Sequence, residues 1–389
     1  MSCICLFLSS PLAAQEVKKG KKPAAVNSKA ASTWVKTFGS PEFDSGYSIK
    51  QTSDGGYIIA GYTFYPSLQR PDLWILRLDA NGSKIWERKF EKAVHGSEEY
   101  AVSEGVDGGF WILAPKDIGK GYASRVVVRV IRLDPAGKVL LDKNFTENSV
   151  TGFSILAAPD GGCLVGGYGS NAGLQVPWLM RLYRQGNLLW ERFMDGTGTE
   201  PISAIVRAPD DHYIVATSSS WKKGFRIMKL KSDGGAIWSR RYYSDNENER
   251  IRAMAMTSDE GIVLSGETGN TSFSGFIMRL NGNGDLQWDR RIYGTIGRLY
   301  AQPTDDGGFL AVSSQERGEV RKMDILVAKF GSKGNVLWSK VLGEHGTSYL
   351  VFALDRTSDG GFIMAGSKGA MTVGNIDLAI IKIDADGKA

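Results

Sequence analysis

Thr52-Ser53-Asp54-Gly55-Gly56-Tyr57-Ile58-Ile59-Ala60-Gly61 decides the fold, because the chain keeps returning to it. Its core recurs as Asp107-Gly108-Gly109-Phe110, Asp160-Gly161-Gly162-Cys163, Asp306-Gly307-Gly308-Phe309 and Asp359-Gly360-Gly361-Phe362. Two worn copies stand at Asp210-Asp211-His212-Tyr213 and Asp259-Glu260-Gly261-Ile262. The first aspartates of successive copies are 53, 53, 50, 49, 47 and 53 residues apart. A period this regular marks a repeat architecture and overrides any domain count based on length.

Working outward from the phrase, each repeat reads as four short strands, a to d. In the first copy these are about Tyr47–Thr52, Tyr57–Tyr62, Leu73–Leu78 and Ile85–Phe90. All are rich in β-branched and aromatic residues and are bounded by Gly, Asp and Asn. Strand c carries one basic residue per copy: Arg77, Arg132, Arg181, Lys229, Arg279, Lys329 and Lys382. Nine residues later comes an anchor on strand d: Trp86, Leu141, Trp190, Trp238, Trp288 and Trp338. An X-Gly pair such as Asn81-Gly82 lies midway, which suits a two-residue type I′ hairpin. That turn would oppose Arg77 and Trp86 directly and predicts a stacked cation–π pair worth roughly 0.5–2 kcal/mol.

The seventh copy has no strand d of its own, because Lys382 lies too close to Ala389. A spare strand stands at the other end, Trp34-Val35-Lys36-Thr37-Phe38, matching Trp86-Glu87-Arg88-Lys89-Phe90. Seven four-stranded units, one of them split between the chain ends, describe a closed ring with no open sheet edge. The expected fold is an all-β, seven-bladed β-propeller of four antiparallel strands per blade, its last blade closed by the N-terminal strand Trp34–Phe38. The propeller is expected to occupy residues 33–389.

The chain of 389 residues is 42% hydrophobic and 23% charged, an ordinary globular composition. Its net charge of +5 is concentrated upstream of the repeats, where Lys18, Lys19, Lys21, Lys22 and Lys29 face only Glu16. Residues 15–32 therefore read as a flexible basic linker, and a basic body gripping nucleic acid is not indicated. Residues 1–14 read as a signal peptide: an apolar run Ile4–Leu8, then small residues up to Ala14, too short to span a bilayer. The expectation is an exported protein, monomeric, with no transmembrane span in the mature chain. Cleavage would leave Cys163 alone, as a buried apolar residue in place of the usual Tyr or Phe.

The combination Ser53-Asp54-Gly55-Gly56-Tyr57-Ile58-Ile59-Ala60-Gly61-Tyr62-Thr63, then Asp72-Leu73-Trp74-Ile75-Leu76-Arg77-Leu78-Asp79-Ala80-Asn81-Gly82 and Trp86, resembles the repeats of exported bacterial β-propeller-repeat proteins. It covers essentially Trp34–Lys388 and implies architecture without implying any catalytic residue. The Leu-Asp-x-x-Gly…Trp portion is similar, over a shorter span, to quinoprotein-like propeller repeats.

A feature present in every blade holds blades together, so a site is sought where blades differ. Gly167-Tyr168-Gly169-Ser170-Asn171-Ala172 fits a dinucleotide fingerprint only formally, since Pro177 blocks the helix it needs. Asp79-Ala80-Asn81-Gly82 lacks the later ligands of a calcium loop, and His95, His212 and His345 show no metal spacing. No cofactor, metal or catalytic residue is therefore assigned. The b–c and d–a loops are long, variable and on one face, where sites concentrate. They supply the candidate binding face: Phe64, Tyr65, Arg70, Lys116, Lys120, Tyr122, Trp221, Lys222, Arg317 and Arg321, aromatic and basic as at interaction hot spots. The reading is a non-catalytic scaffold presenting this face to an envelope protein or a surface glycan. The competing reading is a quinoprotein-like or glycan-active enzyme, with its site on the same face or in the central channel. A glycan hydrolase needs two carboxylates in a cleft, for which Glu98, Glu99, Glu200, Asp245 and Glu249 are placed.

Overall fold

The computed structural model describes residues 32–389 apart from 69, 95–98, 120–124, 147–148, 196–199, 219–223, 243–248, 270–273, 296–297, 318–321, 345–346 and 371–374. The signal-peptide segment, and the basic linker up to residue 31, lie outside the described residues. Twenty-eight strands follow. β1 (Trp34–Phe38) stands apart from the first blade. Blade 1 is β2 (Phe43–Gln51), β3 (Tyr57–Tyr65), β4 (Arg70–Leu78) and β5 (Lys84–Phe90). Blade 2 is β6 (Ala101–Glu104), β7 (Phe110–Asp117), β8 (Val126–Leu133) and β9 (Val139–Phe145). Blade 3 is β10 (Thr151–Ala157), β11 (Cys163–Asn171), β12 (Leu174–Leu182) and β13 (Leu188–Phe193). Blade 4 is β14 (Ile202–Arg207), β15 (Tyr213–Thr217), β16 (Phe225–Leu230) and β17 (Ala236–Tyr242). Blade 5 is β18 (Glu249–Met256), β19 (Ile262–Thr268), β20 (Ser274–Leu280) and β21 (Leu286–Ile292). Blade 6 is β22 (Leu299–Pro303), β23 (Phe309–Arg317), β24 (Lys322–Phe330) and β25 (Val336–Leu342). Blade 7 is β26 (Ser348–Arg356), β27 (Phe362–Ala370) and β28 (Asn375–Ile383), completed by β1.

The closure expected from the sequence is present. β1 runs antiparallel to β28, with Trp34 opposite Lys382 and Phe38 opposite Leu378. The first strands of the blades touch in a cycle, β2 to β6 and onward to β26 and back to β2, so strand a is innermost. Seven apolar clusters fill the seven gaps between blades, one joining Ile58, Ile75, Phe110 and Ile131 of blades 1 and 2. Cys163 is fully buried in one of them, as expected.

The hairpin turns differ from the expected type I′. Gly82 N donates to Asp79 O and Asp79 N to Ser83 O, and only Gly82 takes a positive φ, of 74°. This is a three-residue turn with a glycine bulge, which alone would shift the register by one. A second irregularity at Ile85 shifts it back, so Arg77 still faces Trp86. The same compensation recurs in blades 2 to 6.

The opposed pair does not stack as expected. Arg77 instead turns to the Asp-Gly-Gly turn and bonds Asp54 at 2.6 Å. Every blade repeats this clamp, Arg132–Asp107, Arg181–Asp160, Lys229–Asp210, Arg279–Asp259, Lys329–Asp306 and Lys382–Asp359, at 2.5–3.0 Å. A cation this buried needs an anionic partner, and the aspartate supplies it. The phrase thereby gains its meaning. The first glycine gives the positive φ, and a Cβ on Gly56 would lie 2.3 Å from the Arg77 guanidinium.

The tryptophans reach the next blade. Trp34 packs on Gly82, Trp86 on Gly137, Trp190 on Gly234, Trp238 on Gly284, Trp288 on Gly334 and Trp338 on Gly387; Leu141 does the same on Gly186. Two residues on, Arg88 lies over the Trp86 ring at 5.6 Å and donates to Gly137 O at 2.8 Å. Lys36 closes the ring by donating to Asn81 O of blade 1 at 2.7 Å.

Candidate functional site

Five of the seven innermost strands carry a bulge at the same place. It falls on Tyr47, Phe153, Ser203, Arg252 and Phe352, each five residues before the residue that opens the a–b turn. Tyr100 and Leu299 hold the equivalent places in the remaining two blades. A bulge breaks the in–out alternation and re-aims one side chain, here towards the axis. The strands enclose an axial channel of about 730 Å³, within the range of small-ligand sites, and the five bulged residues and Tyr100 line it.

The lining is uneven. One arc is aromatic: Tyr47 stacks on Phe352 at 4.6 Å and on Tyr62 at 5.6 Å, with Tyr100 5.8 Å from Tyr47. Phe153 continues it beside Tyr168, 5.9 Å away. Burial, then Tyr62, pushes the Tyr100 hydroxyl well above the usual tyrosine range, and it donates to Val94 O. The other arc is basic and polar, with Ser203, Arg207, Arg250, Arg252 and Arg298. Arg298 lies over the Phe352 ring at 5.5 Å, where the two arcs meet. Glu267 draws Arg252 to 2.7 Å and Arg250 to 3.5 Å.

Among the described lining residues Glu99 is the one carboxylate. Glu200, also weighed for hydrolysis, is buried and held by Arg241 at 3.0 Å. Burial, and then Asp289, pushes the Glu249 carboxyl up to about 7. Arg291 pairs with it at 3.6 Å. Glu98 and Asp245 lie outside the described residues, as do His95 and His345.

The loop candidates divide. Phe64, Tyr65 and Arg70 share the β3–β4 hairpin tip, where Tyr65 and Arg70 are register partners. Phe64 stacks on Phe43 at 6.2 Å, and the Lys89 ammonium covers the Tyr65 ring at 5.8 Å. Arg70 sits 3.7 Å from both Asp72 and Glu91. Lys116, next to last in β7, bridges to Ala93, and burial and then Arg129 hold its ammonium below the usual lysine range. Arg317 ends β23 opposite Lys322. Lys120, Tyr122, Trp221, Lys222 and Arg321 lie outside the described residues. The channel ring was not among the sequence candidates, yet a signal existed. Five places before the turn the copies read Tyr, Tyr, Phe, Ser, Arg, Leu and Phe, and in the five bulged blades the residues on either side are small or aliphatic.

No family model and no curated protein matches the chain. Its fold is similar to several solved structures. A polysaccharide lyase of family PL25, an ulvan lyase bound to a GlcA–Rha3S saccharide, superposes with TM-score 0.57 at 9% identity, covering 88% of this chain and 95% of its own. YCF48 from Cyanidioschyzon merolae gives 0.53 at 11%, covering 89% and 98%. The β-propeller domain of the Trilobed protease from Pyrococcus furiosus gives 0.52 at 11%, covering 90% and 97%. These likenesses establish the propeller fold. The neighbours include enzymes as well as other proteins, and at such identity they carry no activity across.

Proposed function

We propose that the chain is an exported, non-catalytic binding protein that captures a glycan at its axial channel. The observation that supports this is the ring of bulged residues, which differs from blade to blade while the scaffold repeats. The half-buried Phe153 ring suits the apolar face of a sugar, and arginines suit its hydroxyls and any acidic groups. A variable ring on an invariant frame is how a rigid scaffold carries specificity. The hairpin tip with Phe64, Tyr65 and Arg70 offers a second contact at the rim.

Binding to an array of surface polysaccharides tests the reading. Phe153→Ala and Arg298→Ala are each expected to weaken capture about ten-fold or more, with melting behaviour close to the parent. Capture that survives both changes but is lost on altering Trp221, Arg317 and Arg321 would move the site to the loops, and to a protein partner. Turnover of any bound polysaccharide would refute the non-catalytic part.

A further inference from the structure

Blade 1 holds a buried acidic row without the strand d arginine that stands beside the matching acids of blades 4 and 5. Asp44, Thr63 and Asp72 are successive register partners across β2, β3 and β4. Cross-strand partners point to the same face with Cβ atoms about 5 Å apart, so the hydroxyl stands between the two carboxyls. Asp44 and Thr63 are 0% exposed and Asp72 is 6% exposed. Among the described residues, Asp44 Oδ1, Thr63 Oγ1 and Asp72 Oδ1 have no hydrogen-bond partner. Buried oxygens are almost always satisfied, and three orphans in one row are exceptional.

The repeat supplies its own comparison. Counting from the strand a bulge, Asp44 corresponds to Glu200 in blade 4 and Glu249 in blade 5. Each of those acids has an arginine from strand d, Arg241 at 3.0 Å and Arg291 at 3.6 Å. Arg291 also donates to Thr268 Oγ1, the counterpart of Thr63. In blade 1 the corresponding strand d residue is Lys89, whose ammonium lies over the Trp74 ring at 5.1 Å and the Tyr65 ring at 5.8 Å. The place of Ser274 in blade 5 is taken by a second acid, Asp72. Among the described residues, the basic group that approaches Asp72 is Arg70, at 3.7 Å from Oδ2, and it leaves Oδ1 without a hydrogen bond.

We propose that Asp44, Thr63 and Asp72 bind a calcium ion, which takes the place of the arginine of blades 4 and 5. The donors are all oxygen, as a hard cation requires, and calcium accepts a hydroxyl beside two carboxylates and completes its shell with main-chain oxygens or water. Among the described residues no three His, Cys, Asp or Glu side chains converge on one point, so the hydroxyl is an essential donor. Asp44 Oδ2 accepts from the Ser40 amide at 2.8 Å, within the short link between β1 and β2. The ion therefore sits beside the seam where the ring closes.

The test uses the full chain, stripped with a chelator and titrated with calcium, read by melting temperature and by terbium luminescence sensitised through Trp74. The parent is expected to bind one ion and to melt higher with calcium. Asp72→Asn and Thr63→Val should weaken binding about ten-fold or more, and Glu249→Gln in blade 5 should leave it unchanged. Asp72 makes no other bond within 3.5 Å through its side chain among the described residues, so its variant decides the matter should Asp44→Asn fail to fold. A parent indifferent to calcium, or an Asp72→Asn variant that responds as the parent does, overturns the proposal.

Discussion

Replacing Trp34 by alanine tests ring closure directly. Trp34 is half-buried, packs on Gly82 of blade 1 and meets the Tyr57 ring edge-on at 5.8 Å. A fully buried Trp→Ala change costs about 3–5 kcal/mol, so half burial brings the expectation to about 2 kcal/mol. Trp34 Nε1 has no hydrogen-bond partner among the described residues, so Trp34→Phe should cost far less. Trp288 is the internal control: it makes the same latch on Gly334 between blades 5 and 6, and its Nε1 donates to Ser332 O at 2.9 Å. Urea unfolding should give Trp34→Ala and Trp288→Ala similar losses. Limited proteolysis should open the N-terminal strand only in the first. A Trp34→Ala variant within about 0.5 kcal/mol of the parent, beside a damaged Trp288→Ala, would falsify the docked terminal strand and with it the closed ring.

Further expectations concern the clamps and the worn repeats. Glu260 occupies the glycine place of its turn with φ of 61°, so Glu260→Gly should stabilise by about 0.5–1 kcal/mol in urea. In Asp306, burial opposes ionisation, but the Thr304 hydroxyl, the Lys329 ammonium and the Gly308 amide outweigh it and hold the carboxyl at about 2. A depressed folded value gives stability that is present above the ordinary value of 3.8 and lost as pH falls towards 2, so acid titration of Asp306→Asn should show a shallower loss there. The opposite sign holds at Glu249, whose carboxyl is raised to about 7: stability falls as pH rises from 4.5 to 7, and Glu249→Gln should exceed the parent by about 1–3 kcal/mol at pH 8. A pH-independent difference between Glu249→Gln and the parent would show that burial does not govern this carboxyl.

The frame was legible because it repeats. The c–d turn glycines and the period-2 strands recur in every repeat, and with the single stray Trp34–Phe38 segment they allow one closed architecture. The turn subtype escaped because its two register shifts cancel at Arg77 and Trp86. The Asp54–Arg77 clamp joins residues of different hairpins, and the Trp86–Gly137 latch joins different blades. Neither follows from reading one repeat at a time, although a basic residue two places after each anchor, as at Arg88 and Lys340, marked the latch. The channel ring was hidden because a bulge at Tyr47 or Arg252 breaks the alternation that sequence reading depends on. Phe64, Tyr65 and Arg70 were found because loops advertise themselves by composition, which says nothing of how a strand is bent.

The pairing of β1 with β28 also sets an order of events during synthesis. β1 precedes every other described strand in the chain, and its partner follows them all. Until nearly the whole chain has emerged, Trp34–Phe38 can find no native neighbour and carries a bare hydrogen-bonding edge. The largest loop-closure cost in the fold therefore falls at the end, on five residue pairs. A nascent chain would assemble its middle blades first and hold its own beginning in reserve. Any truncation that removes the final strand would leave not a smaller propeller but an unsealed one, with two adhesive edges.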